Sequence, residues 1–523
     1  MKTNLVFFFF MCILSSGFAQ NGPGGVGDSS TLNLWLKTDN LDFNNGDLVD
    51  IWEDSSENSN DAFQAVSANR PSFTSTSNLN GLPALQFAGG NSTATGDFLR
   101  IPGSATNFGG INQMSIFSAV RPANLGSSNA QAIIAKRENQ SSSDYSFTLF
   151  FWSGNRTYAD INGTGNGRLN GGNASQVSNN NNFLIGTSFD ATQPSNNRQK
   201  IYRNGSLATT AENNTQSQVN SSIADLTIGK LNVSDNRHFA GQIPEIIFYN
   251  TAVNQTQRNI IDNYLSAKFN IGIGSANIYN KDSFANGDFD FHVIGIGQES
   301  STDNHTNSKG SGIIRVNNPT NLNDGEYLFV GSKSLNETEV DLNSVDCSSS
   351  SPDDILSSNT WRVGKYGGDL GNIDISFDVA SFGLDPNNVE LLISDTDDFS
   401  SPSVISSTSV NGDEVSFADV DFENGDYIKL RFGTIEPILW DGISFENGSG
   451  SNGEPTVGDF GRKLVIDGTG ATLSDDASCL CLRVGTNQSL DLGTNELSIR
   501  SSLVNFGELD ASQGAIRFNG NSG

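Results

Sequence analysis

From Leu32 onward the chain repeats one pattern, a short apolar run followed by a polar turn, and that pattern limits what it can fold into. Leu32-Asn33-Leu34-Trp35-Leu36-Lys37 is the first such run, and Gly46-Asp47-Leu48-Val49-Asp50-Ile51-Trp52 is the next. Further runs fall at 84–87, 115–120, 133–136, 147–151, 201–203, 226–228 and 243–249. A strand of this kind hides one face only, so two sheets must cover each other, with the aromatic residues between them. Composition agrees: 55 glycines and only 17% charged residues suit short strands with many turns. The expected class is all-β.

One helical pattern follows these strands. Asn254 can cap it and Gln257 stands three later, while Ile260, Ile261, Tyr264, Leu265, Lys268 and Phe269 keep helical spacing up to Gly272. The first module resembles the laminin G-like, concanavalin A-like superfamily. The resemblance rests on Leu34-Trp35-Leu36, on Trp52-Glu53-Asp54-Ser55-Ser56 with Asn58, Asn60 and Asp61, and on Gly81-Leu82-Pro83-Ala84-Leu85-Gln86-Phe87. Gly241-Gln242-Ile243-Pro244-Glu245 and Tyr264-Leu265-Ser266-Ala267-Lys268-Phe269 complete it. It implies a jelly-roll β-sandwich over residues 28–275, commonly with a carbohydrate or protein ligand and sometimes with calcium.

Residues 276–433 read as a second β-sandwich. Ile373-Asp374-Ile375-Ser376-Phe377-Asp378-Val379 and Ile428-Lys429-Leu430-Arg431-Phe432 each alternate one apolar with one polar face. This text is similar to an uncharacterised domain that often follows the laminin G-like module in exported bacterial surface proteins, which implies architecture and no chemistry. From 434 to 523 the runs shorten, and the segment resembles the start of a β-helical repeat in secreted adhesin-like proteins, with one copy leaving the period open. The chain stops at Asn521-Ser522-Gly523 without the C-terminal sorting domain used in type IX secretion, so truncation is expected.

The first nineteen residues read as a signal peptide: Lys2, an apolar run from Leu5 to Leu14, then Gly17-Phe18-Ala19 before Gln20. The run is shorter than the roughly 18 residues a membrane span needs, and no later segment reaches that length. Cys12 lacks the small residues that precede a lipoprotein cysteine. The mature chain is therefore expected to be secreted or displayed on the outer cell surface. With 29 basic against 58 acidic residues the formal charge is −29, which makes nucleic acid a poor partner. Three cysteines remain after processing, Cys347, Cys479 and Cys481, an odd count that predicts no organising disulfide. Cys479 and Cys481 alternate with Leu480 and Leu482, so both thiols are expected on one side of a strand as small apolar packing. No zinc spacing occurs.

Glycoside hydrolysis needs two carboxylates about 5–10 Å apart. Asp288/Asp290 and Asp419/Asp421 lie outside the first module, and no Glu-x-Asp-x-x-Glu pattern occurs, so no catalytic residue is assigned. His238, His292 and His305 lack a local nucleophile motif, and the Asn-rich setting of His238 and His305 predicts exposure. Gly295-Ile296-Gly297 lies between strand-like runs, not before a helix. Clustered oxygens at Asp54, Asn58, Asn60 and Asp61, with Glu245 facing them, are a candidate calcium site; the alternative is that they cap a turn through Asx-type bonds. Pro244 stands where many members of the superfamily carry an acid. Trp152, Tyr158 and Tyr202 are candidate sugar platforms, whereas Trp35 and Trp52 belong to the core. The resulting expectation is a non-catalytic surface binding or adhesion protein that takes a glycan or a surface protein through its first module. Alternatives are a structural stalk of a larger adhesin and, behind it, a glycoside hydrolase of the same superfamily.

Overall fold

The computed structural model describes residues 21–89, 96–104, 108–126, 129–138, 144–235, 237–341 and 346–519; the signal segment and the last four residues lie outside them. The chain divides into two compact units, one of residues up to 262 with 271–274 and 307–311, the other of the remainder.

The first unit is a sandwich of two antiparallel sheets. The back sheet runs in the order Ser206–Thr210, Gln199–Arg203, Phe183–Asp190, Gln113–Pro122, Ala240–Tyr249, Ala84–Ala88 and Ser72–Thr74, with Leu32–Lys37 paired to Ala240–Tyr249. The front sheet runs Arg168–Asn170, Arg156–Ile161, Tyr145–Trp152, Gln131–Arg137, Leu226–Ile228, Leu99–Ile101, Ala62–Phe63 and Ile51–Trp52. Alternation puts Leu34, Leu36, Phe147, Leu149, Phe151, Ala159 and Ile161 into one core between the sheets. Phe248 of the back sheet meets Phe147 of the front sheet at 5.2 Å between ring centroids. Trp35 and Trp52 are buried, as their strand context predicts.

The helix spans Gln255–Phe269 and opens with the predicted capping box: Gln257 N–H donates to Asn254 Oδ1 at 2.8 Å, and Asn254 N–H donates to Gln257 Oε1 at 3.1 Å. It stops earlier than Gly272. Asn270 takes φ +48°, a left-handed conformation that asparagine tolerates and that ends the helix there. Near its start, Arg258 lies 4.7 Å from the Tyr202 ring and donates to the carbonyl of Gly205, which fixes the first turns on the outer side of the back sheet. Gly24, at φ +67°, packs so closely on Ile260 that a Cβ there would come within 2.9 Å of Ile260 Cγ2.

In the second unit Phe291–Ser300, Glu326–Ser332, Trp361–Tyr366, Tyr427–Ile435, Glu390–Ser394 and Ser403–Ser406 form a larger sheet, faced by Ile314–Asn317, Ile373–Asp378, Glu414–Val420 and Ser409–Asn411. Ile373, Ile375, Phe377, Ile428, Leu430 and Phe432 point into the shared core, as their alternation predicts. Beyond it, successive coils each give one strand to three parallel sheets. Lys463–Ile466 pairs with Cys481–Val484 and then Leu503–Asn505; Ala477–Cys479 pairs with Glu496–Ile499 and then Ala515–Phe518. Leu464, Leu482, Leu490 and Leu497 fill the space they enclose.

The cysteines correct the sequence reading. Cys479 and Cys481 do not share a strand, because the chain turns at Leu480 between Ala477–Cys479 and Cys481–Val484. Cys479 faces the interior of the coils, while Cys481 faces out and is disulfide-bonded to Cys347. Strict alternation holds only within a strand, and a corner resets it. The histidines correct it as well. His238 and His305 are both buried, His238 against the ring of Phe98 and the backbone of Gly96, so an Asn-rich neighbourhood was no guide to exposure.

Candidate functional site

Two places in the first unit concentrate polar side chains. The first is the turn at 54–61. Asp54 Oδ1 accepts the backbone N–H of Trp35 and of Ser56, each at 2.9 Å. Its Oδ2 accepts the N–H of Asn60 at 2.9 Å and the hydroxyl of Ser56 at 2.7 Å. Asp61 Oδ1 accepts the N–H of Asp54 at 2.8 Å. Asn58 and Asn60 turn their amide N–H groups to the carbonyls of Leu32 and Asn33, both at 2.8 Å. These bonds hold Glu57 and Ser59 at φ +68° and +55° and attach the turn to Leu32–Lys37. Glu245 is fully buried, and its Oε1 accepts the Trp35 indole N–H at 2.7 Å. The structure thus brings four of the five candidate calcium residues into one turn and sets Glu245 on the indole of Trp35, whose backbone N–H binds Asp54. Each Asp54 oxygen already accepts two donors, which is the turn-capping arrangement. Among the described residues no group of three or more His, Cys, Asp or Glu side chains is placed to hold a metal.

The second place is the outer face of the front sheet. Because Leu149, Phe151, Ala159, Ile161 and Leu169 face the core, their neighbours Phe150, Trp152, Tyr158, Asp160 and Arg168 stand on the opposite side. Trp152 and Tyr158 lie 5.5 Å apart between centroids, and Phe150 stacks on Tyr158 at 5.4 Å. The Arg168 guanidinium lies 5.3 Å from the Trp152 ring and grips Asp160 through Nε to Oδ1 at 2.8 Å and Nη2 to Oδ2 at 2.5 Å. Tyr145 donates its hydroxyl to the same Oδ2, and Arg137 Nη1 donates to the Tyr145 oxygen at 3.2 Å. Arg237 grips Asp235, and Arg137 reaches that carboxylate at 3.7 Å. Burial pushes the Asp160 carboxyl above its ordinary range against the pull of Arg168 and Tyr145. Burial acts the same way on Asp235, but the bonds from Arg237 outweigh it and hold that carboxyl low.

Of the three candidate sugar platforms, the structure unites Trp152 and Tyr158 and leaves Tyr202 on the back sheet under Arg258. Sequence reasoning missed the charged partners. Arg156, Tyr158 and Asp160 alternate with Thr157, Ala159 and Ile161, a period of two that would have put them on one face. Arg168 could be found only from the register that sets it opposite Asp160.

The fold and this face define an all-β module of jelly-roll type. Residues 93–257, within the first unit, match the family model of the concanavalin A-like lectin/glucanases superfamily. Residues 257–426 match a domain of unknown function (DUF8202). Among solved structures, the chain is similar to domain 4 of AbnA, a GH43 extracellular arabinanase from Geobacillus stearothermophilus, in complex with arabinotriose. That similarity is at 18% identity and a TM-score of 0.30, covering 45% of this chain and 98% of that one. It is also similar to Trypanosoma rangeli sialidase, at 14% identity and a TM-score of 0.32, covering 47% of this chain and 33% of the sialidase, about a third of its length. A SAP-like pentraxin from Limulus polyphemus matches at 14% identity and a TM-score of 0.23, covering 29% of this chain and 69% of that one. No curated protein sequence matches the chain. Among the described residues no helix is long and apolar enough to cross a membrane.

Proposed function

We propose that the first module binds a glycan on the outer face of its front sheet, in an exported protein displayed at the cell surface. The observation that carries this reading is the partly exposed Trp152 ring, backed by the buried Tyr158, beside the Arg168–Asp160 grip. An apolar ring surface next to fixed polar groups is what a sugar requires, since its C–H face packs on the rings and its hydroxyls need oriented donors and acceptors. Export is supported by the apolar run from Leu5 to Leu14 and by the Cys347–Cys481 bridge, because disulfides persist in oxidising compartments. The test is a glycan array probed with the mature chain and with Trp152→Ala. Hits that weaken about tenfold or more in a variant with an unchanged melting curve support the reading. Hits that ignore the substitution, or a blank array from folded protein, remove it.

A stalk role is favoured by one observation, the coils of the second unit clipped to its sandwich by a disulfide. A blank array together with loss of surface attachment on deleting the second unit would favour it. Hydrolysis is disfavoured by the engagement of both face carboxylates, Asp160 and Asp235, with arginines. Sugar release abolished by a single carboxylate substitution would reverse that judgement.

A further inference from the structure

A chain of net charge −29 repels polyanions, yet one of its faces gathers cations. Between the Gln131–Arg137 and Arg168–Asn170 strands, with the segment that carries Arg237, stand Arg137, Arg156, Arg168 and Arg237 against the carboxylates of Asp160 and Asp235. Glu138 and Asp144 are set beyond the strand ends, where the N–H of Glu138 bonds the carbonyl of Asp144. Arg156 stands opposite Trp152 in the ladder and bonds a neutral acceptor, Asn173 Oδ1, at 2.7 Å. The Arg137 side chain is only 3% exposed, and its Nε–H is buried with no acceptor among the described residues. Arg156 Nε is buried in the same condition. These buried Nε atoms lie out of reach of solvent, so an incoming oxygen would meet the partly exposed guanidinium groups of Arg156, Arg168 and Arg237, and the surplus of guanidinium over carboxylate selects an oxygen that carries charge.

We infer that the glycan taken by this face contains anionic sugars, bearing carboxylate or sulfate. The inference rests on the glycan-binding reading above and narrows its ligand class. A guanidinium fork accepts such groups bidentately, and Trp152 beside Arg156 and Arg168 gives the ring of the same sugar a surface to stack on. The cationic patch is local, so it acts at contact distance within an otherwise repulsive field, and its advantage fades as salt screens it.

The full mature chain is titrated calorimetrically, at low and high salt, with a galacturonate tetramer, with the same tetramer methyl-esterified, and with a sulfated galactose tetramer. The expected result is that an anionic tetramer binds about tenfold or more tightly than the ester, with the gap shrinking in high salt; which anionic form binds better identifies the charged group. Arg156→Gln is expected to close the gap without moving the melting curve, and Arg237→Gln to close it while lowering stability, because it releases Asp235; if either unfolds, the wild-type comparison of acid with ester decides alone. Equal binding of acid and ester overturns the inference and leaves the glycan reading standing. Failure of all three tetramers together with a blank array removes both.

Discussion

Cys347 is bonded to Cys481, 134 residues further along the chain. Around the bond Lys463 Nζ pairs with Asp353 Oδ2 at 2.7 Å and reaches the Asp346 carbonyl at 3.1 Å, while Arg483 Nε donates to the Ser348 carbonyl at 3.0 Å. A segment of the second sandwich is thus held to the first coils by one covalent and several polar contacts. Closing a loop of that length removes about 4–5 kcal/mol of freedom from the denatured chain. Reductant, or Cys347→Ser, is expected to lower the calorimetric transition of the second unit and leave that of the first in place. A scan that reductant does not move would show that the cross-link contributes nothing to stability.

Cys479 lies two residues from that bridge but inside the coils, where burial pushes its thiol up to about 12. A thiol reagent is expected to find no reactive cysteine in the native mature chain and one after denaturation without reductant. Fast native labelling would mean that the coils open or that the bridge is absent.

Asp262 is buried on the helix, and burial raises its carboxyl to about 6 against the opposing pull of Arg258, 3.3 Å away. The folded state therefore binds this proton more tightly than the unfolded chain, for which the ordinary value of 3.8 applies. The stabilisation is fully present below 3.8 and is lost as pH rises through about 6, so acidification across that window favours the fold. The amount is on the order of 3 kcal/mol. Asp262→Asn should flatten that part of the stability profile relative to wild type; superimposable slopes in denaturant titrations between those pH values would contradict the assignment.

Asp54→Ala strips acceptors from three backbone N–H groups at once. A loss of about 2–4 kcal/mol in denaturant titrations is expected. Because both oxygens are committed to the turn, calcium and chelator should give the same melting temperature in wild type. A calcium-dependent rise in wild type that vanishes in the variant would instead assign the turn to the metal.

The local signals in the sequence were strong where one strand or one helix decides the outcome. Ile373, Ile375 and Phe377 turn inward while Asp374 and Ser376 turn outward, and Asn254 and Gln257 exchange their capping bonds, because each depends on residues a few positions apart. The candidate site was legible only in part. Trp152 and Tyr158 could be named as aromatic candidates, but nothing local separates them from Tyr202, which ends under Arg258 on the other sheet.

An all-β chain, the burial of Trp35 and Trp52 and the start of the Gln255–Phe269 helix could be read from the sequence alone, since they follow from periodicity and short-range bonding, while the jelly roll was implied by the resemblance of its first module to a known superfamily. Only the tertiary structure brings Arg168 to Asp160 and Tyr145 to the same carboxylate, sets Asp54 to accept the N–H groups of Trp35, Ser56 and Asn60, and joins Cys481 to Cys347 across 134 residues. The physical reason is register. Which residues of distant strands stand opposite one another depends on how whole sheets pair and where corners reset the alternation, and no local pattern carries that information.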